Sequence, residues 1–178
     1  MNAGVALLRE QGWSAVTTRG VAERAGTNAG LIHYHFGGLP RLHEAIARRA
    51  GDLVIKPVVS EILGAADERA ALEAVRRLLP ETTGDERATR LAVELIAGAM
   101  RDPALGEVLR DQLREVRALL GDRLGGLHPD WSAARRSGAA TLITALIDGL
   151  ILHYLLDPGL PIGDALTAAG DIVREKPA

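Results

Sequence analysis

Residues 17–36 read TTRGVAERAGTNAGLIHYHF, and their pattern decides the fold. Two short helical segments, about 18–25 and 29–36, flank a tight turn at Gly26-Thr27-Asn28. Either Thr17 or Thr18 can cap the first segment and Gly26 can end it. A helix of about eight residues is not stable in water by itself. Packing of Val21, Ala22 and Ala25 on Ile32 and Phe36 would supply what it lacks. Two helices joined through a glycine-containing turn of this length form a helix-turn-helix.

In that motif the second helix enters the major groove of DNA by its N-terminal end while the first crosses the backbone. The side chains here suit both tasks. Thr17, Thr18 and Arg19 stand where hydroxyls and free N–H groups can hold a phosphate. Thr27 and Asn28 open the second helix and can reach phosphate or base edges. Ala29 is next, and Gly30, having no side chain, permits close approach to the sugar-phosphate wall. His33, Tyr34 and His35 then project hydrogen-bonding groups.

Outward from this stretch the periodicity stays helical. Ala, Leu, Arg and Glu recur at spacings of three and four, and no segment alternates as a strand would. Glycine and proline divide the chain into about nine helices: 3–11, 18–25, 29–36, 39–55, 57–79 with a possible bend at Gly64, 85–101, 103–124, 131–156 and 162–175. Asp102 before Pro103 and Asp130 before Trp131 are the expected caps of the seventh and eighth. The fold class is therefore all-α. A three-helix head with the expected DNA-binding motif is assigned to residues 1–50, and a second helical domain to 51–178.

Composition agrees with a globular chain. Of its 178 residues 47% are hydrophobic and 25% charged, which excludes disorder as the main state. The absence of cysteine excludes a disulfide framework, a thiolate metal site and a cysteine nucleophile. Residues 1–50 hold six arginines against three glutamates, a net +3, whereas residues 51–178 carry 15 basic and 20 acidic groups, a net −5. A basic head on an acidic body is expected when one end meets a polyanion. No apolar run resembling a signal peptide opens the chain. The best membrane candidate, Ser137–Leu156, is interrupted by Asp148 and His153 and reads as a packed helix of a cytoplasmic protein.

Residues 3–48 resemble the N-terminal domain of the TetR family of bacterial transcriptional regulators. The resemblance rests on Gly12-Trp13, Thr17-Thr18-Arg19, Val21-Ala22-Glu23-Arg24-Ala25-Gly26 and Leu31-Ile32-His33-Tyr34-His35-Phe36, ungapped, with Leu42, Ala45 and Ile46 continuing the pattern. It implies a homodimer that binds a palindromic operator in double-stranded DNA, usually represses, and leaves when a small-molecule effector fills the C-terminal domain. Three features depart from the family. Ala29 and Leu39 stand where lysines are usual, removing phosphate contacts, and Pro40 replaces a common acidic residue. The chain also begins almost inside the first helix without a basic arm, so the natural start lies upstream or binding proceeds without one.

In the body, residues 131–156 are apolar nearly all round. That pattern favours contact with both a core and a second subunit, through Leu142, Ala145, Leu146, Gly149 and Leu150. An ordinary internal core helix is the alternative. The resemblance places an effector pocket among helices 57–79, 85–101, 103–124 and 131–156. Its candidate lining is Met100, Leu113, Val116, Trp131, Thr141, Thr144, Asp148 and His153. Each has a plainer explanation: Met100 as core filler, Trp131 as a packing anchor, His153 as a core or interface histidine. With only 3% aromatic residues, an aliphatic or modestly polar effector fits better than a flat polyaromatic one.

No phosphate loop, dinucleotide fingerprint or nucleophile elbow is present, and His33 and His35 are spaced wrongly for helical metal ligation. The doubled Arg48-Arg49, Arg76-Arg77 and Arg135-Arg136 read as solvated faces, with Arg48 and Arg49 also placed for phosphate. The expectation is a regulator rather than an enzyme, with no cofactor and no metal. The competing reading is a helical ligand-binding or scaffold protein whose DNA binding is weakened or lost.

Overall fold

The computed structural model describes residues 1–157 and 159–174, apart from the side chains of 79–83, 155 and 172–174. Among the described residues the chain forms α1 (Asn2–Gln11), a 3₁₀ turn (Trp13–Ala15), α2 (Thr18–Ala25), α3 (Ala29–Phe36), α4 (Leu39–Gly64), α5 (Glu68–Gly84), α6 (Glu86–Arg101), α7 (Pro103–Leu127), α8 (Ala133–Leu156) and α9 (Ile162–Arg174). Leu155, Pro158 and residue 175, which the sequence assigns to an apolar face, a turn and a helix end, lie outside that description.

Four boundaries differ from the expected ones. α4 does not stop before Pro57 but runs through it to Gly64. Proline removes one helical hydrogen bond, here the one that the Leu53 carbonyl would accept. Leu53 and Pro57 are both exposed, so water can take that carbonyl. The break falls instead at 65–67, where two devices set it. The Asp67 carboxylate accepts from the Ala70 N–H at 2.8 Å, and Arg123 donates to the carbonyls of Ala65 and Ala66. α5 then continues through Pro80 to Gly84. α7 passes the expected stop at Gly125-Gly126 and ends at Leu127. Ser132, not Asp130, caps α8, accepting from the Arg135 N–H. The Asp102 cap is as expected, with Ala104 N–H donating to Oδ1 at 2.9 Å.

The helices pack as two compact units. The first takes in Met1–Lys56 and also Glu86–Leu113, so α6 and the start of α7 pack with the head helices. Its core gathers Leu8, Val16, Leu42 and Ile46, each at most 1% exposed, with Val21, Ile32, Leu91, Leu95 and Leu105. Trp13 ties the 3₁₀ turn to α6, its indole N–H donating to the Glu94 carbonyl at 2.8 Å. A Cβ at Gly98 would overlap that indole, so glycine is what lets the ring lie on α6. His43 shares a 2.6 Å hydrogen bond with the Val16 carbonyl, which can only accept, so Nε2 carries the proton. Between α4 and α7, Gln112 donates to the Arg48 carbonyl at 2.9 Å and to Asp52 at 3.2 Å. Gly51 leaves the room it needs.

The second unit comprises Pro57–Asp85 and the described part of Arg114–Ala178. Val58, Ile62, Ala74, Val75, Val116, Leu120, Leu124, Ala140, Ile162 and Leu166 are buried. α5 packs on α8 and α9. Arg76 fastens α9 by donating to the Gly163 carbonyl at 2.9 Å and to the Thr167 hydroxyl at 2.6 Å, while Arg77 pairs with Glu61 of α4 at 2.7 Å. At the start of α8, Trp131 stacks on His128 with ring centres 4.1 Å apart, and the Arg135 guanidinium lies 4.3 Å from the indole centre. His128 in turn meets Glu68 at 2.6 Å.

Candidate nucleic-acid interface

The caps of α2 and α3 are made by the residues themselves. Thr17 Oγ1 accepts the Gly20 N–H at 2.9 Å, and Asn28 Oδ1 accepts the Leu31 N–H at 2.8 Å. Each satisfies one of the free N–H groups that a helix start leaves. Between the helices Gly26 takes a left-handed conformation, φ 65° and ψ 35°, and the Thr27 N–H closes the turn on the Ala22 carbonyl at 3.0 Å. Gly37 repeats the device after α3, with φ 72°. The turn is thus built from local hydrogen bonds and one conformation that glycine adopts without strain.

Two side chains hold α3 in place. Ile32 is buried and Phe36 packs against the head core, meeting the surface that Val21 and Ala22 share. Ala25, expected to join them, is exposed. Every other α3 position faces solvent: Ala29, Gly30, Leu31, His33, Tyr34 and His35, with Tyr34 at 83% exposure. Its ring meets that of His35 edge-on at 5.6 Å. A Cβ at Gly30 would meet only the cap oxygen Asn28 Oδ1, at a tight 3.2 Å, and nothing else of the head within 4 Å. The expected phosphate-facing trio is also together: Thr17 and Arg19 are exposed, and Thr18 half-buried, at the start of α2. Thr27 is half-buried and Asn28 exposed, its Oδ1 already used as the cap.

Charges around the helices are exposed and only loosely committed. Arg19 pairs with Glu23 one turn on at 3.1 Å, both largely in solvent. Surface pairs of this kind contribute little, so a phosphate can take the guanidinium over. Arg24 reaches from α2 to Glu10 of α1 at 2.8 Å; its hydrogen bond holds the Glu10 carboxyl below the usual carboxylate range. Arg41 is a cation that the sequence pattern did not single out. It lies exposed in the first turn of α4, its Nη1 3.6 Å from where a Cβ at Gly37 would be. Its position two residues after Leu39, just past α3, was the available signal.

The body candidates divide. The face of α8 expected to meet a second subunit is open, with Leu142 70% and Leu146 44% exposed, Ala145 exposed, and Gly149 and Leu150 half-buried. Leu152 and Leu156, 53% and 78% exposed, extend it. Only 11% of the apolar window in Ala133–Tyr154 is buried, so α8 is not an internal core helix. By length and composition it could cross a membrane. The eight effector candidates do not converge on the groove that α7 and α8 form, lined by Arg114, Arg117, Ala118, Gly121, Asp122, Ala133, Arg136 and Ser137. Met100 is 84% exposed on α6, and so is neither core filler nor enclosed lining. Leu113 is half-buried, in the first unit, and Val116 is buried core. Trp131 is taken up by His128 and Arg135. The Thr141 and Thr144 hydroxyls donate back to the Ser137 and Ala140 carbonyls. Asp148 and His153 are exposed. The Asp148 residue reaches solvent, but protein crowds its carboxyl on the other sides, and this desolvation raises its pKa against the opposing pull of Arg117. Among the described residues no three His, Cys, Asp or Glu side chains gather as a metal site.

Comparison with known proteins matches both parts of the chain. Residues 1–38 fit the profile of bacterial regulatory proteins of the tetR family, and residues 67–175 that of the C-terminal part of BetI-type transcriptional repressors. No curated protein sequence matches the chain. Among solved structures it is similar to SCO7518 of Streptomyces coelicolor A3(2), a candidate transcriptional regulator. The identity is 30%, over 97% of this chain and 95% of that one, with a TM-score of 0.80. A candidate TetR-family regulator from Rhodococcus sp. is 26% identical over 97% and 94% of the two chains, TM-score 0.72. The multidrug binding protein EbrR, in complex with imidazole, is 25% identical over 99% and 88%, TM-score 0.74.

Proposed function

Because the chain belongs to the TetR family of bacterial transcriptional regulators, with a BetI-type C-terminal part, we propose that it works as a cytoplasmic homodimeric repressor. It binds a palindromic operator through α2 and α3 and leaves when a small molecule occupies its helical body. The observation that carries this reading is the division of α3. Ile32 and Phe36 anchor the helix, and Gly30, His33, Tyr34 and His35 are all left in solvent. A helix that spends two residues on packing and displays the rest is arranged to be read against a groove wall. Thr17, Thr18 and Arg19 supply phosphate contacts beside it, and Arg41 supplies a cation near the position where Leu39 lacks one.

The second subunit is supported by α8. At 100° per residue Leu142, Ala145, Leu146, Gly149, Leu152, His153 and Leu156 share one stripe. Open leucines on a stripe this long are a surface for protein. A copy of the same chain can cover it with leucines and still leave His153 a polar partner, whereas a bilayer would have to bury His153 and Asp148. Two heads held together would place two recognition helices about 34–36 Å apart, or a multiple of that spacing. Effector binding would favour a state with another separation, lowering operator affinity by no more than the effector's preference between the two states. EbrR, crystallised with imidazole, supports a small molecule as the kind of effector.

Selection of bound duplexes from a random DNA pool at near-physiological salt tests the reading. Recovery of one palindrome, with affinity that falls steeply as salt rises, is the expected result. A folded dimer that enriches no sequence would sink it and favour a ligand-binding protein with lost DNA binding, for which the missing cations at Ala29 and Leu39 are the motivating feature.

A further inference from the structure

The groove between α7 and α8 is lined by three arginines and a row of small residues. It has a volume of about 410 Å3, within the range of pockets that hold drug-sized ligands. Arg114, Arg117, Ala118, Gly121 and Gly125 lie on one face of α7, so two guanidiniums stand at one end of a row of small residues. Across from them α8 contributes Arg136. That arginine is not on a solvated face. It is half-buried, and a Cβ at Gly125 would overlap its guanidinium, so glycine makes the seat in which it lies. Its Nε is buried with no hydrogen-bond partner among the described residues. Arg117 makes no ion pair among the described residues, feeling Asp148 only through space. Asp122 is the carboxylate in the lining beside these arginines.

A buried, unpartnered N–H on a permanent cation is costly to maintain. Three guanidiniums around small apolar residues match an oxyanion carried on a compact apolar body. Guanidinium binds carboxylate and phosphate through paired N–H donors. A quaternary ammonium would find no aromatic cage here, since the nearby indole of Trp131 is covered by His128 and Arg135. We propose that the α7–α8 groove is an anion site, in which Arg114, Arg117 and Arg136 take the carboxylate or phosphate group of a small organic acid. The site deepens the effector reading and rests on it for its regulatory meaning, but binding itself is measured without DNA and stands or falls separately from operator recognition.

Isothermal titration calorimetry on the full chain in low-salt buffer, with benzoate, inorganic phosphate and tetramethylammonium as probes, tests it. Saturable binding of benzoate, phosphate or both is expected, with none of tetramethylammonium. Preference for benzoate would identify a carboxylic acid as the source of the anion, and preference for phosphate a phosphate ester. Arg117→Gln and Arg136→Gln should each weaken the bound anion at least tenfold. Gly121→Leu keeps every charge and places its side chain where a Cβ meets nothing within 4 Å. It should abolish benzoate binding while the protein melts no lower than wild type. Absence of saturable anion binding by folded wild-type protein would overturn the proposal. So would tetramethylammonium bound as tightly as the anions, or anion affinity unchanged in both arginine variants.

Discussion

α3 and α8 both expose most of their surface, but they expose opposite chemistry. α3 has eight residues, is held by Ile32 and Phe36, and offers imidazoles, a phenol and a bare glycine to solvent. α8 has 24 residues and leaves open a stripe of leucines. A short helix can show polar groups because its stability comes from the neighbours it docks on, not from its own length. A long helix with open leucines gains from removing that area from water, at roughly 25 cal/mol per Å2. The difference separates the two surfaces by the partner each suits under the proposed function: a polar, charged groove for α3, another protein surface for α8.

Substitutions can break or sharpen this contrast. The largest effect is expected from Ile32→Ala, which removes the buried anchor of α3 and should cost about 2–5 kcal/mol in urea denaturation, abolishing operator binding with it. Leu142→Glu with Leu146→Glu should leave each chain folded but monomeric in analytical ultracentrifugation. Central interface leucines are worth about 1–2 kcal/mol or more each, and a buried carboxylate adds its desolvation cost. A dimer unchanged by both glutamates would refute the assignment of α8. Tyr34→Ala should keep stability within about 0.5 kcal/mol of wild type. In fluorescence anisotropy, however, its affinity for the selected duplex should fall by about 1–3 kcal/mol. If both quantities stay unchanged, α3 is not read through Tyr34.

Smaller effects carry the pH dependence. The folded Asp148 carboxyl sits above its ordinary value because of desolvation. The proton it binds favours the folded state below the unfolded pKa of about 3.9, and that contribution is lost as pH rises through the folded pKa. Asp148→Asn should therefore raise the melting midpoint at pH 7 by a few degrees at most, and leave it unchanged at pH 3. Glu10 shifts the other way, held low by Arg24. Its contribution is present above the unfolded pKa of about 4.3 and fades as pH falls through the lower folded value. Glu10→Gln should flatten the acid limb of the head's stability slightly, read by melting between pH 5 and 3.

Much of the head was legible because its signals are local. Thr17, Gly26, Asn28 and Gly37 each act within four residues along the chain. The body was less legible because its boundaries are set by distant partners. Pro57 lies inside α4 since its freed carbonyl faces water, while the true break at 65–67 is fixed by Arg123, 58 residues from Ala65. Arg136 read as a solvated charge, and only Gly125 on another helix shows why it is half-buried. Trp13 and Gly98 are likewise joined across 85 positions by a contact that no window of sequence contains.

By itself the sequence determined the all-helical class, the helix-turn-helix and the residues that α3 displays, because helical period, caps and left-handed glycines depend on near neighbours. The tertiary structure alone decided that α6 packs with the head, which face of α8 is left open, and that Arg114, Arg117 and Arg136 share one groove. Those outcomes depend on which surfaces meet, and burial is a property of the packed chain rather than of any residue in it.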